Sequence, residues 1–485
     1  MSKKYYRLSR RDFIRQSVGL ALSAATCPSS LLASTSFSQA KNIVFIISDQ
    51  HRYDVVGCYG NPVVETPNID QLASEGVRFE NMYCQSPLCV PSRQSIITSQ
   101  YMSTHGTFTN TEPEEANSLI EYLHDFHGVQ TQMSGKCHMS QSGFDTCVWK
   151  ENLFDYLEDS LGYTNVQEII QERSRANRWY ENRYKNAGSS IQQKINSKYL
   201  RYPLDENYYT ESLFYQAAKN LLENRTTDPQ FLWISFNKPH PQWVPPEDYF
   251  EKYNGVDVPY APLATSEIIS ELPEILEKRY YLSGASSLRQ DDIINSVRSY
   301  YGCIEYIDHL VGQITGLITS LNLDDETVVV YTSDHGEMLA HHGLYFKRCF
   351  YEPAVHIPCI IRFPGVIPAG QTVSQLTESI DIMPTLLDYA GLQPAGTEQG
   401  SSMKNLITNP YDTGWKNIAF SELVDDQGEV MMMCRAGRYK YVYYPNDQDQ
   451  LFDLENDPAE ISNLVGNSDY ADVIAFLKEC MDGLD

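Results

Sequence analysis

The chain has 485 residues, of which 42% are hydrophobic and 21% charged, and a formal net charge of −26. This length and apolar content suit one large α/β domain with an appendage and exclude global disorder. The acidic balance excludes a nucleic-acid or anionic-membrane binder, which needs a basic footprint, so an anionic ligand would require a locally positive pocket.

In chain order, the first feature is "LSRRDFIRQ", where Arg10 and Arg11 precede Phe13 and a modest apolar run from Ser17 to Ala25. This is the layout of a twin-arginine export signal, read by a receptor that passes folded cargo to the periplasm. The run is too short to span a bilayer, so no stable membrane insertion is expected. Small residues at Ser38 and Ala40 suit cleavage, which makes 1–40 the signal segment. Lipid anchoring at Cys27, after "SAAT", is the alternative. Eleven cysteines occur without regular spacing. They form neither a disulfide framework nor a zinc ribbon, although Cys84 and Cys89 are close enough in sequence to bridge.

Three later runs share one design. "NIVFIISDQHR" is apolar from Ile43 to Ile47 and then breaks into Asp49, Gln50 and His51. "FLWISFNKPH" ends in Lys238 and His240, and "TVVVYTSDHGE" ends in Asp334 and His335. Short β-branched runs predict buried parallel strands, and the carboxyl ends of such strands line the ligand crevice of an open α/β sheet. Between them, "TPNIDQLASEGVRF" predicts a helix started by Pro67 and ended by Gly76. The polar, tyrosine-rich stretch 150–205 reads as an insertion over the crevice. "QDDIINSVRSYYGCIEYIDHLVGQITGLI" predicts a long covering helix, and "DIMPTLLDYAGL" a helix ending at Gly391. The alternating tail from "RYKYVYYPNDQDQLFDLENDPAE" and a terminal amphipathic helix predict a small α+β subdomain over 409–485, after a catalytic domain over 41–408.

Cys89-Val90-Pro91-Ser92-Arg93 matches the C-x-P-S-R signature of the formylglycine-dependent sulfatases. With "NIVFIISDQ", "GKCH", "KPHP", "SDHGE" and "LFDLENDPAE" in order, nearly the whole mature chain resembles that branch of the alkaline-phosphatase-like superfamily. The resemblance implies a sandwich with a large, mostly parallel central sheet flanked by helices. It also implies that a formylglycine-generating maturation enzyme oxidises Cys89 to an aldehyde. The hydrate of that aldehyde would attack sulfur with one oxygen and release sulfate by collapse of the other, a covalent mechanism with its second step built in.

Position by position, the resemblance makes Asp49, Gln50, Cys89, Asp334 and His335 the metal set. Calcium suits the oxygen ligands, and manganese is the alternative because of His335. Gln50 and His335 depart from the commoner aspartate and asparagine. They resemble instead the sub-branch of iduronate-2-sulfatase, choline sulfatase and phosphonate monoester hydrolases. Arg93 would orient the hydrated aldehyde, Lys136 and His138 would contact nucleophile and sulfate, and His138 would trigger sulfate release. His240 would be the acid for the leaving alcohol, and Lys347 would clamp the sulfate. His51, His341 and His342 are left as unassigned histidines near the pocket. Ser99 stands where the signature commonly ends in glycine.

The resulting expectation is a periplasmic sulfatase acting on a sulfated carbohydrate. The alternatives are a phosphonate monoester or phosphodiester hydrolase with the same nucleophile, and an inactive relative that binds glycans.

Overall fold

The computed structural model describes residues 39–111, 118–184, 204, 206–225 and 229–484. The expected signal lies outside them except for Gln39 and Ala40, as do 185–203 and 205 of the expected insertion. Among the described residues no helix is long and apolar enough to cross a membrane.

Strands β1 (Asn42–Asp49), β2 (Val77–Tyr83), β3 (Gln130–Gly135), β4 (Thr146–Val148), β5 (Gln230–Pro239), β6 (Thr327–Ser333), β7 (His356–Arg362) and β8 (Gln371–Glu378) form one sheet. Its order is β4-β3-β5-β1-β6-β7-β2-β8. Strand β7 runs antiparallel to both neighbours, and the other pairings are parallel. The three runs singled out in the sequence are thus the adjacent central strands β5, β1 and β6. Alternation within β1 explains why the sheet is buried on both faces. Ile43, Phe45 and Ile47 enter one core, and Val44 and Ile46 enter the other.

Helices that cover the second core include α1 (Pro67–Glu75), α3 (Thr210–Glu223) and α4 (Gln290–Ser320). The long covering helix is therefore a single element of 31 residues. Helix α2 (Cys89–Thr98) lies on the opposite face, and every one of its residues is buried. The first described part of the 150–205 stretch is helical over Leu153–Asp159, where Leu153 and Leu157 join the α3 and α4 core.

Gly76 ends α1 as expected, but for another reason. Its φ of −137° needs no glycine. A Cβ there would meet the Ile361 carbonyl oxygen at 2.3 Å, so glycine permits close approach to β7. The "DIMPTLLDYAGL" helix is α5 (Ile382–Tyr389), and Gly391 beyond it is left-handed at φ 71°.

The tail forms an antiparallel sheet of β9 (Ile418–Val424), β10 (Val430–Ala436), β11 (Tyr439–Tyr443) and β12 (Gln450–Asp453), with helix α6 (Ala471–Asp482) against it. Lys440 of β11 ties this unit to the segment that leads into β7. Fully buried, it donates to Glu352 Oε1 at 2.9 Å and to the Phe350 carbonyl at 2.8 Å. The pair belongs to a network in which Lys440 also meets Glu460 and Glu352 also meets Arg435 at 3.3 Å.

Candidate active site

The main chain delivers the reactive groups at the carboxyl ends of the central strands. The β1–β5 register slips between Ser48 and Asp49, where the chain leaves the sheet. Gln50 then takes a left-handed φ of 68°. That uncommon conformation is held on both sides: the Gln50 N–H donates to Asp334 Oδ1 at 2.9 Å, and the Tyr300 hydroxyl donates to its carbonyl at 2.6 Å. At the end of β3, Gly135 has φ 121°, and a Cβ would fall 1.9 Å from the Ser235 carbonyl oxygen. Only glycine lets Lys136 leave the sheet at that point.

Cys89 opens α2, so its sulfur sits at the positive end of the helix dipole. The Val90 N–H in that first turn donates to Asn110 Oδ1 at 3.0 Å. The Cys89 sulfur lies 3.2 Å from His335 Nε2, 3.1 Å from Lys347 Nζ and 4.0 Å from Asp49 Oδ1. Burial and the Asp49 charge push this thiol up. Lys347, Lys136 and His335 outweigh them and hold it well below the ordinary thiol value. Cys84, one candidate for a bridge to Cys89, is a free buried thiol whose sulfur contacts the Ala354 carbonyl.

Ligand atoms of Asp49, Cys89, Asp334 and His335 all lie within 4.8 Å of one another, and all four residues are buried. The donor chemistry fits a divalent cation. His335 Nδ1 donates to the Gly336 carbonyl at 3.0 Å, which leaves the Nε2 lone pair facing Cys89. Gln50 adds an amide oxygen on the same side, since its Oε1 accepts from Lys347 Nζ at 2.7 Å.

Arg93 is fully buried and directed differently from the sequence expectation. Its donors go to Asp334 Oδ2 at 2.8 Å, Asp49 Oδ2 at 3.3 Å, Ser235 Oγ at 2.7 Å and the Lys136 carbonyl at 3.3 Å. The guanidinium thus fixes the carboxylate pair on which the cluster is built. Lys136 Nζ also pairs with Asp49 Oδ2. Burial alone would raise Asp49, but Lys136, His240, Lys347 and Arg93 together hold it well below the usual carboxylate range.

His240 Nδ1 donates to the Pro241 carbonyl at 2.8 Å. Burial pushes this imidazole down to about 3, and it feels the charges of Asp49, Lys347, Lys136 and Cys89. His138 is exposed on the loop after β3 at φ 49°, with no hydrogen bond or ion pair to another described residue. Lys347, half-buried, lies against this cluster through Cys89 and Gln50.

The remaining histidines have structural work. His51 lies between the Tyr331 hydroxyl at 2.7 Å and the Val55 carbonyl at 3.0 Å, and burial lowers it to about 4. His341 contacts Arg52, and His342 stacks on Tyr351. Ser99 explains the missing glycine: it adopts φ 56° as the last cap of α2, and its hydroxyl donates to the Ile380 carbonyl at 2.7 Å. Sequence reasoning passed over Glu337, although it stands in the quoted "SDHGE". It is buried, and its carboxylate accepts from the main chain of Leu339 and Phe346 and from the Gln50 side chain.

The sulfatase family model matches residues 41–392, and a model of the C-terminal part of N-sulphoglucosamine sulphohydrolase matches 340–485. The chain belongs to the sulfatase family, a class of hydrolases that cleave sulfate esters. Its curated relatives include an arylsulfatase of Clostridium perfringens, 28% identical over 91% of this chain and 93% of the relative. An N-acetylglucosamine-6-O-sulfatase of Bacteroides thetaiotaomicron is 25% identical over 93% and 87%. Among solved structures, the phosphonate monoester hydrolase of Agrobacterium radiobacter superposes with a TM-score of 0.78 at 24% identity, over 92% of this chain and 95% of that one. This last likeness concerns the fold, which is the expected alkaline-phosphatase-like one.

Proposed function

We propose that this protein removes sulfate from sulfated carbohydrates, with Cys89 in its formylglycine form as nucleophile. The supporting observation is the buried convergence of Cys89 with Asp49, Asp334 and His335 at the ends of β1, α2 and β6, with half-buried Lys347 3.1 Å from the Cys89 sulfur. The sugar is supported by the relative named for N-acetylglucosamine-6-O-sulfate chemistry. The domain division proposed is 41–408 and 409–485.

In this structure the Cys89 sulfur stands in for the hydroxyls of the hydrated aldehyde of the mature enzyme, which would supply both the attacking oxygen and the group whose collapse frees sulfate. Asp49, Gln50, Asp334 and His335 would hold calcium, or manganese, which would polarise the attacking oxygen and neutralise charge on the sulfate. Arg93 holds Asp49 and Asp334 in place and favours the ionised form of each, although burial and the neighbouring Asp49 charge still leave the Asp334 carboxyl raised. Lys347 and Lys136 set fixed positive charge beside the reacting oxygens, in a water-poor crevice where it acts more strongly than in water. The globally acidic chain thereby offers an anion-seeking hole. His138, exposed beside Lys136, is left to meet the bound sulfate.

His240 donates a proton to the leaving alcohol. His240→Asn should therefore slow a sugar sulfate by about 10²–10⁴-fold, the range of one acid–base catalyst. It should slow nitrophenyl sulfate far less, because nitrophenolate departs unprotonated. An acid with a depressed pKa loses its proton as pH rises. The kcat/KM of the native enzyme on the sugar sulfate should fall as pH rises through about 3, and the variant should lack that limb. Equal losses on both substrates would remove His240 from this role.

Export to the periplasm rests on Arg10 and Arg11, outside the described residues. Cell fractionation of an Arg10→Lys, Arg11→Lys variant tests it: retention in the cytoplasm supports a twin-arginine route, and unchanged export contradicts it.

The phosphonate monoester and phosphodiester hydrolase reading keeps support from the Asp49-Gln50 and Asp334-His335 pairs. Such hydrolysis would be a side activity of the same site.

A further inference from the structure

A glutamine amide has two orientations that differ by exchange of its oxygen and nitrogen, and its neighbours decide between them. Gln50 lies between two groups of opposite demand. On one side is Lys347 Nζ, a donor only, 2.7 Å from Oε1. On the other is Glu337 Oε2, which as a carboxylate only accepts and takes the Nε2 hydrogen. The reversed amide would set oxygen against carboxylate and N–H against ammonium, two repulsive contacts in a site that water cannot relieve.

The second oxygen of Glu337 acts on the lysine. Oε1 accepts from the Leu339 N–H at 2.9 Å and from the Phe346 N–H at 2.6 Å, closing the loop whose next residue is Lys347. Phe346 is left-handed at φ 69°, so the loop makes a sharp turn where Glu337 grips it. Gly336 brings this carboxylate inward, since a Cβ there would sit 2.0 Å from the Pro353 carbonyl oxygen. Backbone contacts of Gln50 hold its main chain, so the amide plane is the freedom left for Glu337 to fix.

We infer that Glu337 is a positioning residue for the reaction: it turns the Gln50 amide so that oxygen, not nitrogen, faces the cation site, and it delivers Lys347 to the nucleophile. This rests on the reading that Asp49, Gln50, Asp334 and His335 hold a divalent cation. With Glu337→Gln, the new amide can still accept from Leu339 and Phe346 through its oxygen, but its N–H₂ meets that of Gln50. Gln50 then turns its own N–H₂ toward the cation. Exchanging the two residues, Gln50→Glu with Glu337→Gln, restores a donor facing an acceptor and an oxygen facing Lys347.

The test is calorimetric titration of chelator-stripped protein with Ca2+ alone, and separately with Mn2+ alone, beside thermal unfolding. E337Q should bind about 10–100-fold more weakly than the native protein, the scale for a partner that orients a metal ligand. The exchanged pair should recover most of that loss, which a merely structural glutamate would not allow. If E337Q does not fold, the comparison is Q50E, whose two carboxylates face each other, against the exchanged pair, which should bind the ion more tightly and unfold at higher temperature. Native-like Ca2+ affinity in a folded E337Q overturns the inference. An exchanged pair that binds no better than the single variant overturns it as well. A native protein that binds neither ion overturns the cation site and this inference together.

Discussion

Cys89→Ala is expected to reduce sulfate-ester hydrolysis to background while the protein still folds. Loss of a nucleophile costs on the order of 10⁴–10⁶ in rate, because nothing else in the cluster can form and then release the covalent adduct. Stability should change little. The side chain is small, and its neighbours keep other partners: Lys347 retains Gln50 Oε1, and His335 retains the Gly336 carbonyl. Measuring kcat/KM on nitrophenyl sulfate beside Tm separates the two effects. In active native protein, mass spectrometry of the peptide that spans Cys89 should show the aldehyde. Full activity in a preparation whose Cys89 is entirely thiol would contradict the mechanism.

Asp49→Ala should be nearly as damaging, and for two reasons that can be separated. Asp49 is a proposed cation ligand and also the shared partner of Lys136 and Arg93. Losing an electrostatic stabiliser of the reaction should cost at least about 10²-fold in rate. Leaving two buried cations without this carboxylate should also lower stability by about 3–5 kcal/mol. Chelation of the native enzyme should reproduce the loss of activity and be reversed by Ca2+ or Mn2+. In Asp49→Ala neither ion should restore it. Native rates in metal-free protein would remove the cation from the reaction.

Much of this site was legible in the sequence because strand ends leave a local trace. An apolar run that breaks into Asp49 or Asp334 marks both the strand and its carboxyl end, and β5, β1 and β6 proved to be neighbours. Lys136 and Lys347 carry no such trace; short motifs alone pointed to them. What stayed illegible depends on long-range packing. The quoted run containing Glu337 does not show that the chain turns back at Phe346 and that Gln50 arrives from the other end of the sequence. The reason for Gly76 lies in β7, not in its own helix. Arg93 could be read as a cation beside the nucleophile, but not as the clasp on two aspartates, because that requires β1 and β6 side by side. Histidines near a motif also mislead: His51 and His342 resemble candidates in sequence, yet Tyr331, Val55 and Tyr351 account for them.

Charge separates sulfate monoesters from phosphate monoesters. A sulfate monoester carries one negative charge, whereas a phosphate monoester carries between about 1.5 and 2 at neutral pH. The described residues offer one candidate cation cluster, with Arg93, Lys136 and Lys347 around it. That suits a singly charged ester. The most direct measurement is kcat/KM for matched aryl sulfate, aryl phosphonate monoester and aryl phosphodiester substrates, alongside a sulfated N-acetylglucosamine, all with mature enzyme. Sulfate should be preferred over either phosphorus ester by at least about tenfold, roughly 1.4 kcal/mol of transition-state stabilisation, and the sulfated sugar should be turned over. Faster hydrolysis of a phosphorus ester, with no turnover of any sulfated sugar, would contradict this account.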